Sequence, residues 1–167
     1  MRALQILRLF SGFVLGALII SVFMGPVAIA AKELPVDRCA LLPSSELQTV
    51  LGGSFGKPAS SVAPPAFSGL PTGTECDYMA VQGANRVVFI IYVDSSAATA
   101  KDTFEKLTPY YSPVKSRPPK LGDSGYIDKD GAIHVLKGKV RFYINVTPTP
   151  AATRTLVGLA TSVAGQL

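Results

Sequence analysis

Residues 86–93 read RVVFIIYV. Val87, Phe89, Ile91 and Val93 fall on one face of an extended chain, and Val88, Ile90 and Tyr92 on the other. A strand with apolar side chains on both faces belongs in the middle of a sheet, covered from above and below. Before it, residues 74–81 have the same extended character, and Gln82-Gly83-Ala84-Asn85 supplies the turn of a hairpin. After it, Asp94, Ser95 or Ser96 caps a helix whose core stripe is Ala97, Ala100, Phe104 and Leu107. Lys101 with Glu105 and Asp102 with Lys106 make i,i+4 pairs on its wet side, and Pro109 stops it.

From Leu121 onward the apolar period changes to two. The segments are Tyr126 and its neighbours, then residues 132–136, then residues 140–146. Asp128-Lys129-Asp130-Gly131 and Lys137-Gly138-Lys139 are the turns between them, each with a glycine to take positive φ. In residues 140–146 the apolar side chains alternate with Arg141, Tyr143 and Asn145, the pattern of a half-exposed strand. Thr149 and Pro150 then open a closing helix with Leu156, Leu159, Ala160, Val163 and Leu167 on one face. Towards the N-terminus, Ser45 with Gln48 has capping-box spacing, Leu47, Val50 and Leu51 share a face, and Gly52-Gly53 ends that helix. Between it and the first hairpin, residues 57–73 carry Pro58, Pro64, Pro65 and Pro71 and are predicted to be an irregular loop. The expected order is α, β, β, α, β, β, β, α: an α+β domain with a mostly antiparallel sheet covered by helices and one disulfide.

The first 30 residues stand apart from this pattern. Arg2 and Arg8 precede an apolar run from Leu9 to Met24, Gly25-Pro26 breaks it, and Ala28-Ile29-Ala30 is an A-x-A cleavage site. The expectation is a signal peptide over 1–30 and a single extracytoplasmic domain over 31–167, periplasmic or extracellular. The alternative is an uncleaved anchor in the inner membrane, because residues 9–31 are long enough to span a bilayer. Loss of Arg2 and Arg8 takes the net charge from +5 to +3, so the sequence pI of 9.3 and the mean hydropathy of +0.34 both overstate the mature chain.

Export decides how the two cysteines are read. Val36-Asp37-Arg38 before Cys39 is not the small, aliphatic stretch that precedes a lipid-modified cysteine. A catalytic thiol needs an activating base, and the chain has one histidine, His134. Two cysteines and one histidine at these separations do not make a metal site. In an oxidising compartment Cys39 and Cys76 are therefore expected to pair.

Gly122-Asp123-Ser124-Gly125 spells the surroundings of the nucleophile in trypsin-like proteases. Tyr126 replaces the following glycine, and no histidine lies upstream to serve as base. A turn is the simpler reading. Asp128-Lys129-Asp130-Gly131 similarly lacks the further acidic ligands and closing glutamate of an EF-hand. His134 shares a strand face with Ala132 and Leu136, the setting of a partly buried sheet residue. A small secreted hydrolase using Ser124 or His134 is kept as the alternative reading.

The candidate binding surface is basic and aromatic. Tyr110, Tyr111, Lys115, Arg117 and Lys120 sit in a proline-broken loop, and Lys137, Lys139 and Arg141 crowd one hairpin. Residues 101–141 hold nine Lys and Arg against five Asp and Glu. Such a surface suits an anionic envelope polymer or an envelope protein. No nucleic acid is expected outside the cytoplasm, the membrane is a partner only if the leader stays attached, and neither cofactor nor metal is expected.

Cys39-Ala40-Leu41-Leu42, Glu46, Leu51-Gly52, Cys76-Asp77-Tyr78, Leu121-Gly122-Asp123 and the closing amphipathic helix together resemble a family of exported bacterial domains of unknown function, often lipoproteins of actinobacteria. That family opens with Cys-x-Leu-Leu-(Thr/Ser)-x-x-Glu and carries a later Cys-x-aromatic segment. Pro43 stands where the family has a capping Thr or Ser, which moves the expected cap to Ser44 or Ser45, and the lipid-attachment cysteine is absent. The resemblance implies an exported location and a paired Cys39 and Cys76, and carries no catalytic residue across. The expected role is an exported, non-catalytic domain that binds a ligand, a polymer or a protein partner.

Overall fold

The computed structural model describes residues 33–110, 113–148 and 151–167. The expected signal peptide, Tyr111 and the Thr149-Pro150 helix opening lie outside the described residues. A short 3-10 turn, Arg38–Leu41, precedes α1 (Ser44–Leu51), β1 (Ala59–Ala63), β2 (Gly73–Met79) and β3 (Arg86–Val93). Then follow α2 (Ala97–Leu107), β4 (Val114–Ser116), β5 (Ser124–Asp128), β6 (Ile133–Lys137), β7 (Val140–Thr147) and α3 (Thr153–Gln166). The strands form one seven-stranded sheet in the order β1-β2-β3-β7-β6-β5-β4. Every pairing in it is antiparallel.

β3 lies inside the sheet, as its two apolar faces require. It pairs with β2 through Cys76 opposite Phe89 and with β7 through Phe89 opposite Ile144. Val87, Phe89 and Ile91 join Phe142, Ile144 and Val146 in the main core, closed by Leu47 of α1 and by Leu156, Leu159, Ala160 and Val163 of α3. On the opposite face α2 seats Ala100 and Phe104 on Tyr126 and Leu136. Helical cover on that second face is partial, and Val88 and Ile90 stay half-buried.

Two strands exceed the expected order, and both arise in stretches assigned to irregular loop. β1 occupies the five residues between Pro58 and Pro64, and β4 lies between Pro113 and Pro118. Proline lacks the N–H a ladder needs but is tolerated at sheet edges, and both strands are edges. β2 is shorter than expected: Ala80 pairs with Phe55, and the Val81 N–H donates to Ser54 O at 2.8 Å.

The helix caps divide. Ser96 caps α2, its Oγ accepting from Thr99 N at 3.0 Å. On α2, Ala97 is exposed and Thr103 is buried in its stead, while Lys106 reaches Asp102 at 2.7 Å. The expected capping box of Ser45 and Gln48 does not form. α1 starts at Ser44 behind Pro43, whose carbonyl accepts from Glu46 N, and the Ser44 hydroxyl donates to Gly56 O at 2.7 Å. Ser44 and Ser45 both lie inside the helix, so neither has the extended backbone of an N-cap, and Pro43 at that position has no hydroxyl to offer.

Cys39 and Cys76 are bonded, with their Cα atoms 5.6 Å apart, fastening the 3-10 turn to β2. Two residues along β2, the buried Tyr78 hydroxyl donates to Leu42 O at 2.6 Å and Cys39 O at 3.1 Å. Burial, helped by the charge of Asp37, pushes the Tyr78 hydroxyl well above its ordinary pKa. The GDSG segment is a turn into β5. Gly122 has φ +59°, and a Cβ there would collide with Leu136 O. The next residue, Asp123, donates its N–H to that same oxygen at 2.8 Å.

Replacing both cysteines by serine is expected to cost about 3–4 kcal/mol, because the bridge spans a sequence separation of 37. Urea denaturation of the two proteins measures it, and coincident curves would assign the bridge no stabilising role. Gly122→Ala is expected to lose about 1–3 kcal/mol in the same assay, since it combines a left-handed backbone with a clash.

Candidate functional site

The basic and aromatic residues singled out from the sequence separate into distinct environments. Arg141 leaves the surface altogether. It projects from β7 beneath α2, its side chain only 6% exposed, and makes a two-point ion pair with Asp94 at 2.6 and 3.2 Å. Its guanidinium also lies 5.1 Å from the Tyr92 ring centre. β7 is thus not half-exposed along its length, because α2 covers the end that carries Arg141. Lys137 and Lys139 stay on the β6–β7 turn, where Lys137 bonds Asp123 at 2.9 Å. The Gly138 N–H and Lys137 together hold the Asp123 carboxyl below its ordinary pKa.

Of the loop half of the set, Arg117 lines an open groove of about 570 Å³ between the end of α2 and β4–β5. Phe104, Pro109, Pro113 and Val114 supply its apolar walls, and Glu105, Thr108, Arg117 and Ser124 its polar groups. Arg117 sits 5.5 Å over the Tyr126 ring. Among the described residues it has no ion-pair partner. Tyr110 is 73% exposed and meets Phe67 edge-on at 5.0 Å, and Lys115 and Lys120 are exposed.

Behind this groove an aromatic ladder crosses the sheet. Tyr126 stacks on His134 at 4.6 Å with 10° between the planes, and His134 stacks on Tyr143 at 5.5 Å. The His134 Nε2 is 2.9 Å from Asp128 Oδ2, while Asp128 Oδ1 accepts from Ala132 N at 2.9 Å. Burial pushes the Asp128 carboxyl up, but the bonds from His134 and the Ala132 N–H outweigh it and leave the carboxyl below its ordinary value. Next to the ladder is a cavity of about 30 Å³, lined by Tyr92, Phe104, His134, Arg141 and Tyr143 among others.

The two residues of the hydrolase alternative therefore open onto different spaces, Ser124 onto the groove and His134 onto the small cavity. His134 also has its Nε2 beside a carboxylate and rings against both faces, which is the arrangement of a packed structural histidine. Among the described residues no His, Cys, Asp and Glu side chains gather in a metal-holding group, and no helix is long and apolar enough to cross a membrane.

No family model and no curated protein matches the chain. The fold does have a solved counterpart. It is similar to the crystal structure of the extracellular domain of PknH from Mycobacterium tuberculosis, with a TM-score of 0.52 and 15% identity. The match covers 81% of this chain and 97% of that one. At this identity the likeness is one of fold.

Sequence reasoning missed the Asp94–Arg141 pair and the Tyr126–His134–Tyr143 ladder. Alternation along β7 looked like one dry and one wet face, and Asp94 looked like a cap. The apolar stripe of α2 was the available signal, since it needed a sheet face to cover and the other face was already taken by α1 and α3.

Asp94→Ala leaves Arg141 buried and unpaired, and is expected to destabilise by about 3–5 kcal/mol; thermal unfolding would show it, and an unchanged midpoint would mean Arg141 escapes to solvent. Asp128 has a depressed pKa, so its contribution is complete above the unfolded value near 3.8 and disappears as pH falls through the lower folded value. Asp128→Asn should therefore flatten the loss of stability below about pH 4, as read from urea midpoints across the acid range.

Proposed function

We propose that this chain is an exported, non-catalytic binding domain that engages an anionic component of the cell envelope through the groove at the end of α2. The groove carries the reading: it joins apolar walls to Arg117, a cation without an ion-pair partner among the described residues. Lys115, on β4, and Lys120, in the segment after it, are exposed near Arg117 in the chain and add positive potential that steers an anionic partner.

Export is supported by the leader pattern in residues 1–30 and by the Cys39–Cys76 bond, which persists in oxidising compartments. A counterpart of this fold serves as the extracellular part of PknH, which accords with a domain working outside the membrane. The hydrolase alternative draws no support from the geometry, since Ser124 and His134 line separate spaces.

The test is retention on envelope material from the producing host. Charge reversal of Lys115, Arg117 and Lys120 to glutamate is expected to abolish salt-sensitive retention, while the same change at Lys137 and Lys139 leaves most of it. Equal retention of both variants and the parent would remove the loop and groove as the binding surface.

A further inference from the structure

We infer that the groove beside α2 accepts a ligand bearing a single carboxylate head on an apolar body, with Arg117 gripping the head. This inference rests on the binding reading above and names the chemistry of the group that enters.

Arg117 is presented in an unusual way. Its guanidinium lies over the Tyr126 ring, so one face of the cation is supported by aromatic electrons. That contact uses none of its N–H donors, and among the described residues no carboxylate or carbonyl takes them. The other face of Tyr126 is held by His134, which is held in turn by Tyr143, so the platform under Arg117 is stiff. A planar fork of donors matches the two oxygens of a carboxylate. Ser124, on the same groove wall, adds a hydroxyl.

The remaining lining defines the body of the ligand. Phe104, Val114, Pro109 and Pro113 present carbon, and the prolines bring no N–H to compete for the head. A volume of about 570 Å³ lies within the range for small-molecule sites, about 300–1,000 Å³. Glu105 on the helix wall, 4.0 Å from Lys101, adds negative charge that disfavours a second anionic group.

An aliphatic acyl chain and an aromatic acid share this chemistry, and calorimetry on the full chain separates them. The probes are dodecanoate, 3-phenylpropionate, dodecanol as the uncharged analogue, and inorganic phosphate as a head without a body. At least one carboxylate is expected to bind, with dodecanol and phosphate weaker by about tenfold or more, the loss expected for a charge-assisted pair of hydrogen bonds. A preference for dodecanoate assigns an aliphatic body, and a preference for 3-phenylpropionate an aromatic one. Arg117→Gln should weaken the carboxylate by a similar factor with an unchanged melting temperature, and Val114→Glu should do the same by repulsion. Binding of dodecanol as tight as dodecanoate, no carboxylate binding, or full affinity in both variants would overturn the inference. Native mass spectrometry of chain recovered from the host distinguishes the two levels: an envelope-derived adduct that persists on Arg117→Gln would keep a binding role for the domain but overturn this inference and the groove as the site.

Discussion

The β3–β7 ladder holds two halves of the sheet together. β1, β2 and β3 come from the first part of the fold and β4 to β7 from the second, and Arg86 to Val93 paired with Thr147 to Val140 is the seam between them. Its register carries more than hydrogen bonds. Phe89 and Phe142 meet edge to face at 5.9 Å on the α3 side, while Tyr92 and Arg141 meet on the α2 side. A slip of one residue would exchange the two sets, placing Arg141 in the apolar core and stripping Asp94 of its partner. Correct pairing is thus enforced from both faces, and the aromatic ladder and the groove take their positions from it.

The parts of the fold that were legible are those where a local pattern and the tertiary demand agree. β3 announced itself because both of its faces are apolar, and Ser96 capped α2 because its hydroxyl has nothing better to bond. The cysteine pairing followed from the export expected of the leader pattern. The parts that were not legible involve longer-range competition. Helix α1 begins at Ser44, which puts Pro43 at its head and turns the Ser44 hydroxyl to the distant Gly56 O. β1 and β4 hide among prolines because an edge strand needs its N–H groups on one side only. Arg141 reads as a surface cation, and only the placement of α2 over β7 buries it.

The candidate site was legible in fragments. Arg117, Lys115 and Tyr110 were drawn from the sequence as one basic aromatic surface with Lys137, Lys139 and Arg141. The fold gives these residues different tasks. Arg141 ties β7 to Asp94, at the approach to α2, and Lys137 braces the turn beside Asp123, whereas Arg117 looks into the groove from its aromatic seat. Phe104 and Ser124 entered the site through tertiary packing alone. Phe104 divides the groove from the small cavity behind it, lining both.

Among the described residues the sheet ends in two borders, one at β1 and one at β4. Each is short and fenced by prolines, Pro58 and Pro64 around β1, Pro113 and Pro118 around β4. A border strand of an open sheet is a template on which further chains can polymerise, and an incoming strand needs several consecutive free N–H and C=O groups to take hold. Here the template is interrupted within five residues at one border and within three at the other. The prolines that obscured these strands in the sequence thus act as end-stops that oppose the addition of a further strand at either border.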